Sequence, residues 1–200
     1  MKTYQSILKT FGLCLLLGGC ATTRVDRIDV EEVKDLSGRW NDTDSRLVSQ
    51  EMVRDCLNRP WRSEFAAAQN RKPVLIVGSV RNLSSEHVET GIFTTDLERE
   101  LINSGLTKFV ANPLQRQEIR QERKEQQPFA RQESAKRLAA ETGADYMLEG
   151  SLKTIRDKVG RKEVKFYQVD LELIHIETNE KVWIGTKTIK KLVTKSQVTW

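Results

Sequence analysis

Apolar residues follow two different periods along this chain, and the change falls near Gly143. Before it the spacing is helical around one continuous apolar run. Leu47, Val48, Met52, Val53, Cys56 and Leu57 make one stripe at helical spacing, with Asp42, Thr43 or Asp44 placed to cap its start. Arg59-Pro60 ends that helix, and Pro60 suits the first turn of a second one through Ala68, where Trp61 and Phe65 share a face. Arg71-Lys72-Pro73 then leads into Val74 to Val80, apolar without alternation, as a strand covered on both faces requires. The loop Arg81 to Glu89 is polar. A helix follows, with Thr90 or Thr94 as candidate caps and Phe93, Leu97, Leu101 and Ile102 on one side, and Asn103-Ser104-Gly105 stops it. Lys108 to Ala111 is a short second strand. Strand, helix, strand in that order predicts a right-handed parallel crossover.

Asn112-Pro113 opens a long helix to about Gln127 whose large apolar residues are Leu114 and Ile119 alone, so little of it can be buried. Pro128 breaks it, and Glu133 to Thr142 predicts another helix with Ala135, Leu138 and Ala139 inward and Gly143 as its stop. From Asp145 the period becomes two. Tyr146, Leu148, Gly150 and Leu152 alternate with polar positions; a turn is predicted over Asp157 to Arg161. Tyr167, Val169, Leu171 and Leu173 then face one way in a strand from Val164 to Ile176, Thr178 to Lys181 is a tight connection, and Val182 to Val193 is a last strand. Lys187, Lys190, Lys191 and Lys195 stud that edge, a common guard against sheet-to-sheet aggregation. The predicted fold is α/β: a mixed sheet of about five strands, with a parallel crossover at the start and an antiparallel meander at the end. Helices flank it, and the N-terminal helices precede it.

The first twenty residues carry a different signal. Lys2 and Lys9 supply charge and Phe11 to Leu17 an apolar run about a third to a half of a bilayer span, too short for a transmembrane helix. Leu17-Gly18-Gly19-Cys20 has the small-residue pair before cysteine of a lipoprotein signal. Cleavage there leaves Cys20 as an acylated N-terminus, and two or more acyl chains anchor stably at about 0.8 kcal/mol per buried methylene. The expected organisation is a signal over 1–19, a lipidated end and short tether over 20–36, one α/β domain over 37–195 and a tail over 196–200. A tether of some sixteen residues reaches roughly 55 Å at most. Ala21 after the cysteine points to the outer membrane, facing the periplasm.

The charge balance changes little. Of 33 basic residues the signal holds Lys2 and Lys9; 31 against 28 acids leaves +3, which does not argue for nucleic acid. With Cys14 in the signal and Cys20 modified, Cys56 stands alone, so neither an intramolecular disulfide nor a cysteine zinc site is expected. No phosphate loop, nucleophile elbow or metal-type histidine spacing occurs, and no cofactor is expected. His175 ends an apolar strand face, as a packed residue. His87 lies in the loop after the central strand, beside Glu86 and Glu89, with no accompanying nucleophile. Asp170 and Glu172 read as a solvent-facing ladder opposite lysines.

Binding features are better represented. Arg39-Trp40-Asn41 presents a guanidinium and an indole just before the first helix; the alternative is that Trp40 packs beneath that helix. Arg116, Arg120, Arg123 and Lys124 gather on one side of the long helix, either for an acidic partner or simply as a solvated face.

Several stretches together resemble the LpoB family of outer-membrane lipoproteins, activators of bifunctional penicillin-binding proteins. They are Leu17-Gly18-Gly19-Cys20; Val74 to Asn82; Asp96-Leu97-Glu98-Arg99-Glu100-Leu101 with Lys108-Phe109-Val110; Ala139 to Leu148 with Gly143-Ala144-Asp145-Tyr146; and Gly185 after Lys181-Val182-Trp183. The resemblance implies a compact α/β domain similar to the N-terminal domain of TolB, without enzymatic activity. It also implies docking on a class A penicillin-binding protein in the periplasm, as a monomer. One departure is plain: well-known members carry a long proline-rich tether, and this one is short and has no proline. The competing readings are a structural or secretion-related assembly lipoprotein on the same scaffold and, more remotely, a hydrolase using His87.

Mass spectrometry of the mature chain is expected to show Cys20 as an acylated N-terminus, and Cys20→Ala to release the protein from membranes.

Overall fold

The computed structural model describes residues 26–29, 32–126 and 143–195, and the chain divides into two units, Met1–Glu32 and Val33–Trp200. The signal, Cys20, the expected helix over Glu133 to Thr142 and the tail after 195 lie outside the described residues. In the second unit the elements run α1 (Asp42–Leu57), α2 (Trp61–Gln69), β1 (Val74–Asn82), α3 (Thr90–Asn103), β2 (Lys108–Phe109), α4 (Pro113–Gln126), β3 (Tyr146–Val159), β4 (Lys162–His175) and β5 (Lys181–Thr194).

The five strands form one mixed sheet in the order β2-β1-β3-β4-β5. β1 is parallel to β2 and β3, whereas β3, β4 and β5 are antiparallel neighbours. The parallel crossover and the terminal meander are therefore both present, with two helices ahead of the sheet. β3 and β4 stay paired from Tyr146↔His175 to Val159↔Lys162, so a two-residue connection, Gly160-Arg161, replaces the longer turn expected from Asp157. Gly160 sits at φ 57°. A glycine at the first central position supplies the positive φ that a tight hairpin needs, and polar residues do not by themselves end an antiparallel ladder.

One face of this sheet carries the core. Leu75, Val77, Leu148, Leu152, Tyr167, Val169, Leu171, Leu173 and Trp183 pack against Val48, Met52, Val53, Cys56 and Leu57 of α1, Trp61 and Phe65 of α2, and Phe93, Leu97 and Leu101 of α3. Strand residues of one phase and helix residues at 3–4 spacing meet there, each buried large side chain stabilising by about 1.5–3 kcal/mol. Two expected members fall outside. Leu47 is 49% exposed because the buried stripe of α1 runs instead through Ser45 and Ser49, and Ile102 is 51% exposed because α3 buries Phe93, Asp96, Leu97 and Leu101. The small serines face α3, and the Ser45 hydroxyl donates to Asp96 at 2.9 Å.

The caps also differ from expectation. Asn41 caps α1 in a reciprocal box: its side chain accepts from Asp44 N–H, and the Asp44 carboxylate accepts from Asn41 N–H, both at 3.0 Å. Glu89, not a threonine, caps α3 by accepting from Gly91 N–H. Asn112 and Gln115 form a second reciprocal pair at the start of α4.

At Gly150 the strands approach too closely for any side chain: an added Cβ would lie 2.1 Å from the Asp170 carbonyl oxygen. Gly150→Ala is expected to destabilise by about 2–3 kcal/mol, read as a fall in Tm of roughly 5–10 °C.

Candidate functional site

The inward phase of β4 does not stop at Tyr167. It continues through Lys165 and Glu163, two charged residues that are nonetheless buried. A buried ammonium is tolerable only when paired, and the loop after β1 supplies the partner. Lys165 Nζ donates to Glu86 Oε1 at 2.8 Å, with the two side chains 5% and 8% exposed. The Tyr167 hydroxyl donates to the other Glu86 oxygen at 2.6 Å and lies 3.2 Å from the Gly38 carbonyl. Burial by itself would raise the Glu86 carboxyl, but Lys165 and Tyr167 hold it below the usual range. Burial and the neighbouring Glu86 carboxylate push the Tyr167 phenol far up, so it remains a donor.

The Glu86 loop is itself braced. Asn82 donates to the Glu86 carbonyl at 2.8 Å and accepts from Ser84. The Leu36 to Asp44 loop is fastened from the other side. Lys191 Nζ donates to Asp35 at 2.7 Å, Asp44 at 2.5 Å and the Arg39 carbonyl at 3.2 Å. Lys191 is therefore no edge guard. It lies on the inward phase of β5 opposite Lys165 and is 9% exposed. Lys187 likewise pairs with Glu51, which leaves Lys190 and Lys195 exposed. Burial raises the Asp44 carboxyl, and Lys191 offsets that only in part.

This clamp brings two stretches together that lie more than forty residues apart in sequence. Arg39 and His87 are exposed; Asn41 is committed to the α1 cap. Trp40 is half-buried, edge-on to Phe93 at 6.0 Å and to Tyr167 at 5.8 Å, so its indole packs against the core. Among the described residues the His87 side chain has no hydrogen-bonding partner. The basic residues of α4 lie on a separate element. Arg116 and Arg123 are partly buried, Arg120 and Lys124 exposed, and Arg120 and Arg123 have interaction partners of their own.

Other titratable groups serve packing. Cys56 is buried and its thiol is pushed up to about 12 by burial, which suits a small hydrophobe. His175 stacks edge-on to Tyr146 at 5.0 Å and accepts from Thr178 N–H. Asp170 pairs with Lys153 and Glu172 with Lys181, the ladder expected of that strand. Among the described residues no group of three or more His, Cys, Asp or Glu side chains could hold a metal ion. Sequence reasoning placed Glu86 in a loop, Tyr167 on an inward strand face and Lys191 at the edge, did not single out Lys165, and did not join the four. The legible signal was phase: charged residues at the inward positions of β4 and β5 must find partners.

The fold and the clamp define a small α/β domain that displays two loops from one face of a mixed sheet. The chain belongs to the LpoB family: the model of the peptidoglycan-synthase activator LpoB matches residues 44–189. Among solved structures it is similar to the LpoB C-terminal domain from Escherichia coli, at 23% identity and TM-score 0.43. That match covers 74% of this chain and 99% of that one. The LpoB C-terminal domain from Salmonella enterica gives 20% identity, TM-score 0.41 and the same coverage. A PelC dodecamer from Paraburkholderia phytofirmans gives 18%, 0.32, and 61% and 73% coverage. No curated protein matches the chain by sequence.

Glu86→Gln is expected to cost about 3 kcal/mol near neutral pH by leaving Lys165 buried without a counter-charge. Glu86 is depressed in the folded state, so its contribution is present above the ordinary value of 4.5 and is lost as pH falls through the folded value. Asp44 has the opposite sign, so the difference between mutant and wild type is the readout. Urea midpoints should differ at pH 7 and converge toward pH 3.

Proposed function

We propose that the chain is a lipid-anchored, non-catalytic periplasmic activator that docks on a bifunctional (class A) penicillin-binding protein and raises its peptidoglycan synthesis. The observation that carries this reading is the family match over residues 44–189, which runs from the start of α1 through most of β5 and includes the Glu86 loop. The Leu17-Gly18-Gly19-Cys20 signal supports acyl chains on Cys20 and an outer-membrane position facing the periplasm.

In this reading the domain acts as a monomer and by contact alone. Tyr167 and Lys165 hold Glu86, Lys191 holds Asp35 and Asp44, and the two loops are presented without an ordering cost at encounter. Arg39 and His87 form the exposed part of the docking surface, with Trp40 and Asn41 setting the loop's shape. Arg116, Arg120, Arg123 and Lys124 offer a second, basic contact that steers an acidic partner. With a tether reaching roughly 55 Å at most, the synthase must extend toward the anchoring membrane.

Pull-down of the acylated protein with the organism's class A synthases, followed by glycan-polymerisation assays, tests the proposal. Binding and a faster rate with at least one synthase are expected. Arg39→Glu with His87→Ala should weaken that binding at least about tenfold, a loss of 1.4 kcal/mol, with Tm unchanged. Absence of binding and of any rate change with every such synthase rejects the reading.

A further inference from the structure

The far end of the β3–β4 hairpin carries an apolar patch on the face of the sheet opposite the core. Asp157, Val164 and Leu192 lie in one cross-strand row, Ile155, Phe166 and Lys190 in the next, and Val159 at the tip. Ile155 is 67% exposed, Val159 79% and Leu192 67%, with Val164 and Phe166 partly covered beside them. The end is ordered, since Val159 pairs with Lys162 and Lys195 N–H donates to the Arg161 carbonyl at 3.0 Å. Contiguous exposed apolar side chains on an ordered hairpin mark a contact surface rather than scattered surface hydrophobics.

The charges around the patch say what it meets. Arg156 is taken by Glu163, Lys165 by Glu86 and Lys153 by Asp170. Arg161, Lys162, Lys190 and Lys195 are all exposed, and none has an ion-pair partner among the described residues, whereas Lys158 lies on the other phase of β3 opposite Glu163. Asp157 is the one acid among them. An apolar wedge ringed by cations is the composition that enters the interface of an anionic bilayer: apolar side chains reach the acyl boundary while lysine and arginine meet the headgroups.

The chain's path into the domain points the same way. It arrives at Asp35, which Lys191 holds, and continues through Gly38, against which Val193 packs directly. Lys191 and Val193 flank Leu192 of the patch. The tether therefore joins the domain at the hairpin end. We infer that the tip formed by Ile155, Val159, Val164, Phe166 and Leu192, with its ring of unpaired lysines and arginine, docks on the surface of an anionic phospholipid bilayer. This inference rests on the proposed acyl anchor, because a tether of some sixteen residues keeps that end beside the membrane.

The test uses the acylated chain in phosphatidylcholine vesicles with and without phosphatidylglycerol. An environment-sensitive fluorophore is placed on Val159→Cys or, as a control at the opposite end of the sheet, on Gln69→Cys; Cys56 is buried and does not compete. The Val159 fluorophore should leave water on the anionic vesicles while the Gln69 one stays wet. Reversing Arg161, Lys162 and Lys190 to Glu should weaken tip contact on the order of a hundredfold, at about fivefold or more per cation, with Tm unchanged. A chain that floats with vesicles while its Val159 fluorophore stays in water overturns the docking and leaves the anchor intact. A chain that floats with neither vesicle overturns the anchor and the docking together. A fluorophore that turns dry only on adding an acidic envelope protein overturns the bilayer as the occupant.

Discussion

A buried lysine on an edge-proximal strand is the constraint around which this domain is arranged. Lys165 occupies an inward position of β4, where an unpaired ammonium would be prohibitive, so Glu86 must reach it from the loop after β1. The same carboxylate accepts from Tyr167, whose hydroxyl also approaches the Gly38 carbonyl. One charge thus determines where two loops sit. A buried ion pair of this kind need not add net stability over an apolar replacement. What it excludes is any packing in which the loop after β1 drifts from the sheet.

That constraint bears on the proposed docking, because binding by contact depends on shape held ready in advance. The clamp removes conformational freedom from both loops while leaving Arg39 and His87 at the surface. Lys191 repeats the device on β5, joining Asp35 and Asp44 and so securing the point where the chain enters the domain. The cluster around Tyr167 lies on the helix-bearing face of the sheet. The apolar residues of the hairpin tip lie on the other.

The elements of the fold were readable because most follow from local pattern. The uninterrupted apolar run of β1, the alternation of β4 and the stripe of α1 each identify an element and its buried side. Boundaries and caps were less so. Asn41 rather than a neighbouring aspartate caps α1, Glu89 caps α3, and β3 with β4 runs on to a two-residue turn; each choice depends on which side chain or backbone geometry wins among near-equal candidates. Leu47 shows the limit of counting apolar residues, since helix packing put the buried side of α1 on Ser45 and Ser49 instead.

By itself the sequence determined the order of helices and strands, the mixed sheet and its inward residues, and the LpoB resemblance, all of which depend on neighbours along the chain. Only the tertiary structure decided that Lys165 belongs to Glu86 and that Lys191 turns inward to Asp35 and Asp44. Those partners lie from 79 to 156 residues apart in the ion pairs concerned. Long-range pairing of that kind leaves no periodic trace, because the charge of a side chain fixes that it needs a partner and the fold alone fixes which one it finds.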